Sequence, residues 1–202
     1  MLGRRRSFDK DKVLDTLMTV FWRQGYAGTS MSDLTDATDL TKPSLYSAFG
    51  NKEAMYSAAL GCYLDIQSKT VFSVLQDDGR SLLDVLADFL KASAKGATQP
   101  NRPAGCFIVG ASCDANAGLL PNEAEALVAE INAMGMDMLT QFFQARIGTG
   151  TFGMIDARAL AEHVLVLQTG LVQMAGRGMD YAALERTIEI AIEGLSGQLS
   201  ET

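Results

Sequence analysis

The sequence predicts an all-α fold of about nine helices, and three observations lead there. Apolar residues recur at helical spacing along nearly the whole chain. Four prolines are few for 202 residues. No stretch alternates polar and apolar residues long enough to make a strand. Hydrophobic residues make up 48% of the chain, enough to bury a core rather than stay unfolded.

The elements follow in order. Val13/Leu14, Leu17/Met18 and Phe21/Trp22 form one apolar stripe on a first helix over residues 9–24, which Gly25 stops. Ser30 caps a short second helix, with Asp33 three residues on, close to a capping box. Met31, Leu34 and Ala37 make its buried face. After the break at Asp39-Leu40, Thr41 caps a third helix with Pro43 in its first turn, where a missing N–H costs little. Leu45, Ala48 and Phe49 are its apolar side, and Gly50-Asn51 ends it. Asn51 caps a long fourth helix that runs to Leu75, with Ala54, Met55, Ala58, Ala59, Cys62, Ile66 and Val71 turned inward. A loop over 76–80 leads to an amphipathic helix from Ser81 to Ala97, and a loop over 98–105 leads to a short apolar helix from Cys106 to Ala115. Pro121 opens a helix to Ile147, a turn covers 148–153, Asp156 caps a strongly apolar helix to Gly176, and Asp180 caps a last one to Gly197.

Composition removes several classes. No apolar run reaches the length of a membrane-spanning helix, so no membrane partner is expected. The basic start at Arg4-Arg5-Arg6 is followed by Asp9-Lys10-Asp11-Lys12 instead of an apolar stretch, which argues against a secretory signal. Three cysteines at no metal-ligand spacing argue against a disulfide framework and a structural zinc site. The expected setting is cytoplasmic. The net charge of −7 is uneven: residues 1–55 balance near +1, and the rest carries −8. A polyanion would therefore meet the N-terminal quarter and be repelled elsewhere.

A helix, a short helix, a tight turn and another short helix is the layout of helix-turn-helix DNA binding. With Leu45 at the centre of the third helix's buried side, Pro43 and Ser47 point away, flanked by Lys42, Ser44 and Tyr46. That outer face is small, polar and basic, suited to a major groove. Lys42 offers a cation to a phosphate or guanine, Ser44 and Ser47 offer hydroxyls, and the Tyr46 phenol can bond a phosphate. The helix starts at Ser30 and Asn51-Lys52 can each hold a phosphate by backbone N–H groups. The plainer alternative is the polar face of an ordinary three-helix bundle.

Gly25-Tyr26, Thr29-Ser30-Met31, Leu45-Tyr46, Phe49 and Lys52-Glu53-Ala54 add a specific signal, dense over residues 8–60. This segment resembles the N-terminal domain of the TetR/AcrR family of bacterial transcriptional regulators. The resemblance implies a helix-turn-helix domain over residues 1–50 and an effector-binding and dimerisation domain over 51–202. It puts Thr41, Lys42, Pro43, Ser44, Tyr46 and Ser47 in or at the recognition helix, and Ser30, Tyr46 and Lys52 at phosphates. Arg4, Arg5 and Arg6 are either an arm along the DNA or a solubilising tail. Two positions depart from the family pattern: Asp39 stands where glycine is common in the turn, and Pro43 where another small residue is common. Asp tolerates a left-handed backbone, so the turn survives and only base preference is affected.

The C-terminal portion resembles the family less, though Gly105-Cys106 is similar to a Gly-Cys motif in one branch. The last two helices are apolar on more than one side, so each needs two burials. Leu160, Val164, Leu167, Leu171, Leu184, Ile188, Ile192 and Leu195 are the expected interface of a homodimer, whose paired heads would match a palindromic operator in double-stranded DNA. The alternative is that both are interior helices of a monomer. The resemblance also implies a small-molecule effector inside the C-terminal helices. The candidates are Tyr63, Phe89, Cys106, Phe107, Met134, Met138, Phe142 and His163, with ordinary core as the alternative for each.

No enzyme is expected. A catalytic triad would depend wholly on His163, the single histidine. Gly110-Ala111-Ser112-Cys113-Asp114 is only a partial nucleophile elbow, and no cofactor-binding motif is present. A thiol sensor acting through Cys106 is a rival reading. Pairing with Cys113 is not, because seven residues of helix put the two about 10.5 Å apart along the axis. A helical interaction protein is a third reading, opposed by Lys42, Tyr46 and Lys52. The expected function is a ligand-responsive DNA-binding regulator, acting as a repressor released by a small molecule.

Overall fold

The computed structural model describes residues 8–76, 79–147 and 156–200. Among these, nine α-helices follow one another: α1 (Lys10–Gly28), α2 (Met31–Thr38), α3 (Lys42–Phe49), α4 (Lys52–Thr70), α5 (Leu82–Ala97), α6 (Phe107–Asn116), α7 (Asn122–Ile147), α8 (Ala157–Gly176) and α9 (Tyr181–Ser200). A 3-10 helix over Phe72–Gln76 follows α4, and the described residues contain no strand. None of the helices is long and apolar enough to cross a membrane.

Side-chain caps set most helix starts. Asp9 caps α1, Asn51 caps α4, Ser81 caps α5 and Asp156 caps α8, each accepting from a first-turn N–H that has no intrahelical partner. Ser30 and Asp33 close a full capping box: Ser30 Oγ accepts from Asp33 N at 3.1 Å, and Ser30 N donates back to the Asp33 carboxylate at 2.7 Å. Asp39 ends α2 with φ of 52°, a left-handed conformation in which Asp substitutes for the more usual glycine.

One expected boundary held in part and one moved. The helical backbone of α1 breaks at Gly25 as expected (φ 69°, ψ 174°), and a further short helical stretch continues past the kink through Gly28. The kink turns the chain around Asp114 of α6: a Cβ on Gly25 would sit 2.7 Å from an Asp114 carboxylate oxygen. α4 ends at Thr70 rather than Leu75, and the tighter 3-10 turn that follows lays Phe72 edge-on against Phe89, centroids 5.5 Å apart. The buried face of α4 is Met55, Tyr56, Ala59, Leu60 and Tyr63, while Ala54 and, on α2, Ala37 are exposed. The expected turn over 148–153 lies outside the described residues.

Two apolar clusters hold the helices. One joins Leu17, Phe21, Leu34, Leu45 and Tyr56 of the first four helices to Phe107 and Ala111 of α6 and to Val128 and Ile131 of α7. The other joins α5, the end of α7, α8 and α9 around Phe89, Leu139, Phe143, Val164 and Ile188. The core under α1–α3 therefore does not stop at residue 50 but runs on into α6 and α7. Arg102, from the loop after α5, adds a polar tie: its guanidinium donates to Asp15 at 2.6 Å and Thr19 at 3.2 Å, both on α1.

Candidate nucleic-acid interface and C-terminal cavity

α3 is held by one fully buried side chain, Leu45, which seats in the core with Leu34 and Met55. Its other side faces solvent. Lys42, Pro43, Tyr46 and Ser47 are exposed, with the Tyr46 phenol at 41%. Lys42 Nζ lies 5.7 Å from the Tyr46 ring centroid, so cation and phenol share one patch. Thr41 and Ser44 are more committed. Their hydroxyls bond each other at 2.8 Å, and Thr41 Oγ1 caps Ser44 N. Ser30 keeps its own hydroxyl proton, since its oxygen is the acceptor in the capping box.

Lys52 is more than a loose surface cation. Its ammonium sits 4.2 Å from the Tyr26 ring centroid, within reach of the Asp33 carboxylate. Burial lowers its pKa, and Asp33 opposes that shift. Asp33 itself is held below the usual carboxylate range, first by its hydrogen bonds to Ser30. The cation at the start of α4 is thereby fixed beside the capped start of α2. Tyr26 was not among the candidates, although Gly25-Tyr26 was noted; only the fold shows that its ring carries Lys52. Arg4, Arg5 and Arg6 lie outside the described residues.

A short helix with an exposed polar and basic face, entered through a capped left-handed turn and braced by two neighbouring helices, is a helix-turn-helix DNA reader. Residues 13–59 match the family described as bacterial regulatory proteins, tetR family. The chain is 33% identical over 192 residues to the HTH-type transcriptional repressor ComR of Escherichia coli (strain K12), covering 94% of this chain and 88% of that protein. The chain belongs to the tetR family, and is a DNA-binding transcriptional regulator rather than an enzyme. Among solved structures it is similar to a cysteine mutant of the TetR family regulator CifR complexed with 26-bp double-strand operator DNA, at 28% identity and TM-score 0.81, covering 95% of this chain and 98% of that one. A TetR regulator from Chloroflexus aurantiacus shares the fold at TM-score 0.81 and 22% identity, covering 94% and 95%.

The C-terminal helices enclose a cavity of about 510 Å³ walled by α4, the 3-10 helix, α5, α6, α7 and α8. It brings together four of the eight effector candidates: Tyr63, Cys106, Met134 and Met138. Met134 and Met138 are 49% and 40% exposed, so they stand at its rim. The other four lie elsewhere. Phe89 is fully buried in the second core cluster. Phe107 packs edge-on between Tyr56 and Tyr63, at 5.6 and 5.9 Å. Phe142 meets Phe143 edge-on and carries Arg146 at 5.3 Å. His163 is exposed on α8. Sequence reasoning missed Ser93 and Gln168, which also line the cavity. The one available signal was a polar residue at each of two positions beside apolar stripes, Ser93 next to Phe89 and Leu90 and Gln168 next to Leu165 and Leu167.

Cys106 is the N-cap residue of α6 and accepts a hydrogen bond from the Tyr63 hydroxyl at 3.2 Å. Burial pushes its thiol up, against the hydrogen bonds from Tyr63 and the backbone of Val109 and Ile108. Cys106 is therefore a protonated thiol at neutral pH. Cys113 is exposed, with Gln173 Nε2 at 3.8 Å from its sulfur.

The expected dimer residues pack largely on the chain's own second cluster, and four of them, Leu167, Leu171, Leu184 and Ile188, also line the groove between α8 and α9. Leu160, Val164, Leu171, Leu184 and Ile188 are buried in the chain's own second cluster, and Leu167, Ile192 and Leu195 pack against it. The outer face of α8 and α9 instead shows Val166 and Ile190, both 71% exposed, with Met174 at 38%. A groove of about 280 Å³ lies between these helices, lined by Val166, Gly170, Met174, Thr187 and Ala191 among others.

Proposed function

We propose that the chain is a cytoplasmic, homodimeric repressor that leaves a palindromic operator when a small molecule occupies the cavity walled by α4–α8. Residues 1–50 act as the reading head and 51–202 as the sensing and pairing portion. The observation that carries the reading is the α3 face: Lys42, Pro43, Tyr46 and Ser47 exposed together on a helix anchored by Leu45. Lys42 and Ser47 meet base edges, while Tyr46, Lys52 and Ser30 meet phosphates. The dimer forms through the outer face of α8 and α9 around Val166, Met174 and Ile190, since those apolar side chains need a second burial. The ComR relative is a transcriptional repressor and the CifR relative is seen on operator DNA, and this kinship supports the same sense here.

Effector and operator are coupled through α6. This helix carries Cys106 at its start, on the cavity wall, and Asp114 at its far end, against the Gly25 kink of α1. A ligand that displaces α6 changes the placement of the heads, and by linkage it must bind more weakly to the DNA complex. The test is selection of binding sites from a random duplex library at moderate salt. Enrichment of a palindrome is expected. A folded, dimeric protein that enriches nothing across a salt series overturns the reading.

A further inference from the structure

The cavity's lining specifies a class of ligand. Among the described residues on its wall there is no lysine, arginine or histidine, and the one formal charge is Asp65, which is exposed. A carboxylate or phosphate bound inside would have no cation beside it, and a buried ammonium would have no interior carboxylate. Most of the wall is apolar: Phe72, Ile108, Val109, Ile131, Leu165 and Val172, with methionines that adapt to irregular shapes.

Against this background one polar device stands out. Ser93 is only 4% exposed, on the inner face of α5 among Phe89, Leu90 and Ala94. Its hydroxyl donates to the Phe89 carbonyl at 3.0 Å, so its oxygen is left to accept, and it does so from Gln168 Nε2 of α8 at 2.9 Å. The Gln168 amide is thereby fixed with its nitrogen toward Ser93. Its carbonyl oxygen and second N–H are left for a guest. Tyr63 adds another acceptor, since its own proton goes to the Cys106 sulfur. The Ser93 hydroxyl thus orients Gln168.

We infer that the cavity takes an uncharged, largely apolar small molecule bearing a hydroxyl group, and that Gln168, positioned by Ser93, is its polar anchor. A hydroxyl both donates to the amide oxygen and accepts from the remaining amide N–H, which an ether or a hydrocarbon does not. The inference rests on the reading of this cavity as the effector site.

The test uses the full chain and four probes of one shape: para-butylphenol, para-butylanisole, para-butylbenzoate and para-butylbenzylammonium. Binding is read by titration calorimetry and by the rise in Tm that a native-state ligand produces. Para-butylphenol is expected to bind about tenfold more tightly than the anisole, the worth of one neutral hydrogen bond, and the two ions are expected not to saturate. Gln168→Met keeps the side-chain length and is expected to erase the phenol's preference while leaving the anisole's affinity unchanged. Ser93→Ala, which fits the same space, is expected to reduce that preference. Equal binding of phenol and anisole, tighter binding of either ion, unchanged preference in Gln168→Met, or no binding by any probe each overturns the inference. Operator binding is measured in parallel. A probe that binds as expected but never releases the operator overturns the effector role and leaves the ligand class standing. Release of the operator by a charged molecule seated in the cavity does the reverse.

Discussion

Lys52 shows how a single side chain gains a role from its surroundings. The Asp33 carboxylate, held by the Ser30 N–H, and the Tyr26 ring fix where its ammonium sits, so in the proposed role it would reach a phosphate without first losing much rotamer freedom. Lys52→Ala should weaken binding to every duplex sequence alike and lower the slope of log affinity against log salt by about 1, as read by fluorescence anisotropy across a salt series. Gly25 matters for the opposite reason, namely what it lacks. With φ at 69° and the Asp114 carboxylate where a Cβ would stand, Gly25→Ala should destabilise the fold by more than ~1 kcal/mol in urea unfolding. Pairing it with Asp114→Ala should recover only the steric share, since the backbone strain remains.

At the scale of elements, starts were far more legible than ends or faces. Ser30, Thr41, Asn51 and Asp156 each cap the helix expected of them, because a cap is a local bond between residues two or three apart. The end of α4 was not legible: Phe72 gives up helix for a contact with Phe89, seventeen residues on. Nor was the choice of face on α8 and α9. Periodicity finds an apolar stripe but not which of two stripes meets its own domain, and here the leucines went inward while Val166 and Ile190 stayed out. Phe89, Phe107 and Phe142 failed as cavity residues for a related reason. Size and apolarity mark a side chain for burial without saying whether it meets protein or ligand. The α2 start also carries a test. Ser30→Ala should cost about 1 kcal/mol of stability. Asp33 is held below its unfolded value, so the capping box is at full strength at neutral pH and weakens as pH falls through the acidic range where Asp33 takes up a proton. The difference in urea midpoint between wild type and Ser30→Ala should therefore shrink on acidification.

At the scale of the whole molecule, the uneven charge becomes a constraint on assembly. The −8 balance beyond residue 55 keeps the rest of the protein off the phosphate backbone and leaves contact to a small basic footprint. Such a footprint reads a site well only when it is presented twice, so the proposed pairing through α8 and α9 would be part of recognition. Val166→Glu together with Ile190→Glu should give a folded monomer by sedimentation, with helical content unchanged by circular dichroism. Its affinity for a full palindrome should fall to that for a half-site. A double variant that remains dimeric would place the interface elsewhere.

The edge-to-face contact between Trp22 and Tyr63, centroids 5.0 Å apart, has a use of its own. Trp22 is the only tryptophan in the sequence, it lies on α1 of the DNA-reading head, and its neighbour Tyr63 forms part of the cavity wall. The protein thus carries one intrinsic indole at the seam between α1 and the cavity wall. Its emission reports on that seam alone, without a label and without background from another indole. A guest that shifts Tyr63 should change the intensity or colour of that emission, and operator DNA should change it back. The competition between the two ligands can then be followed optically on the unmodified chain.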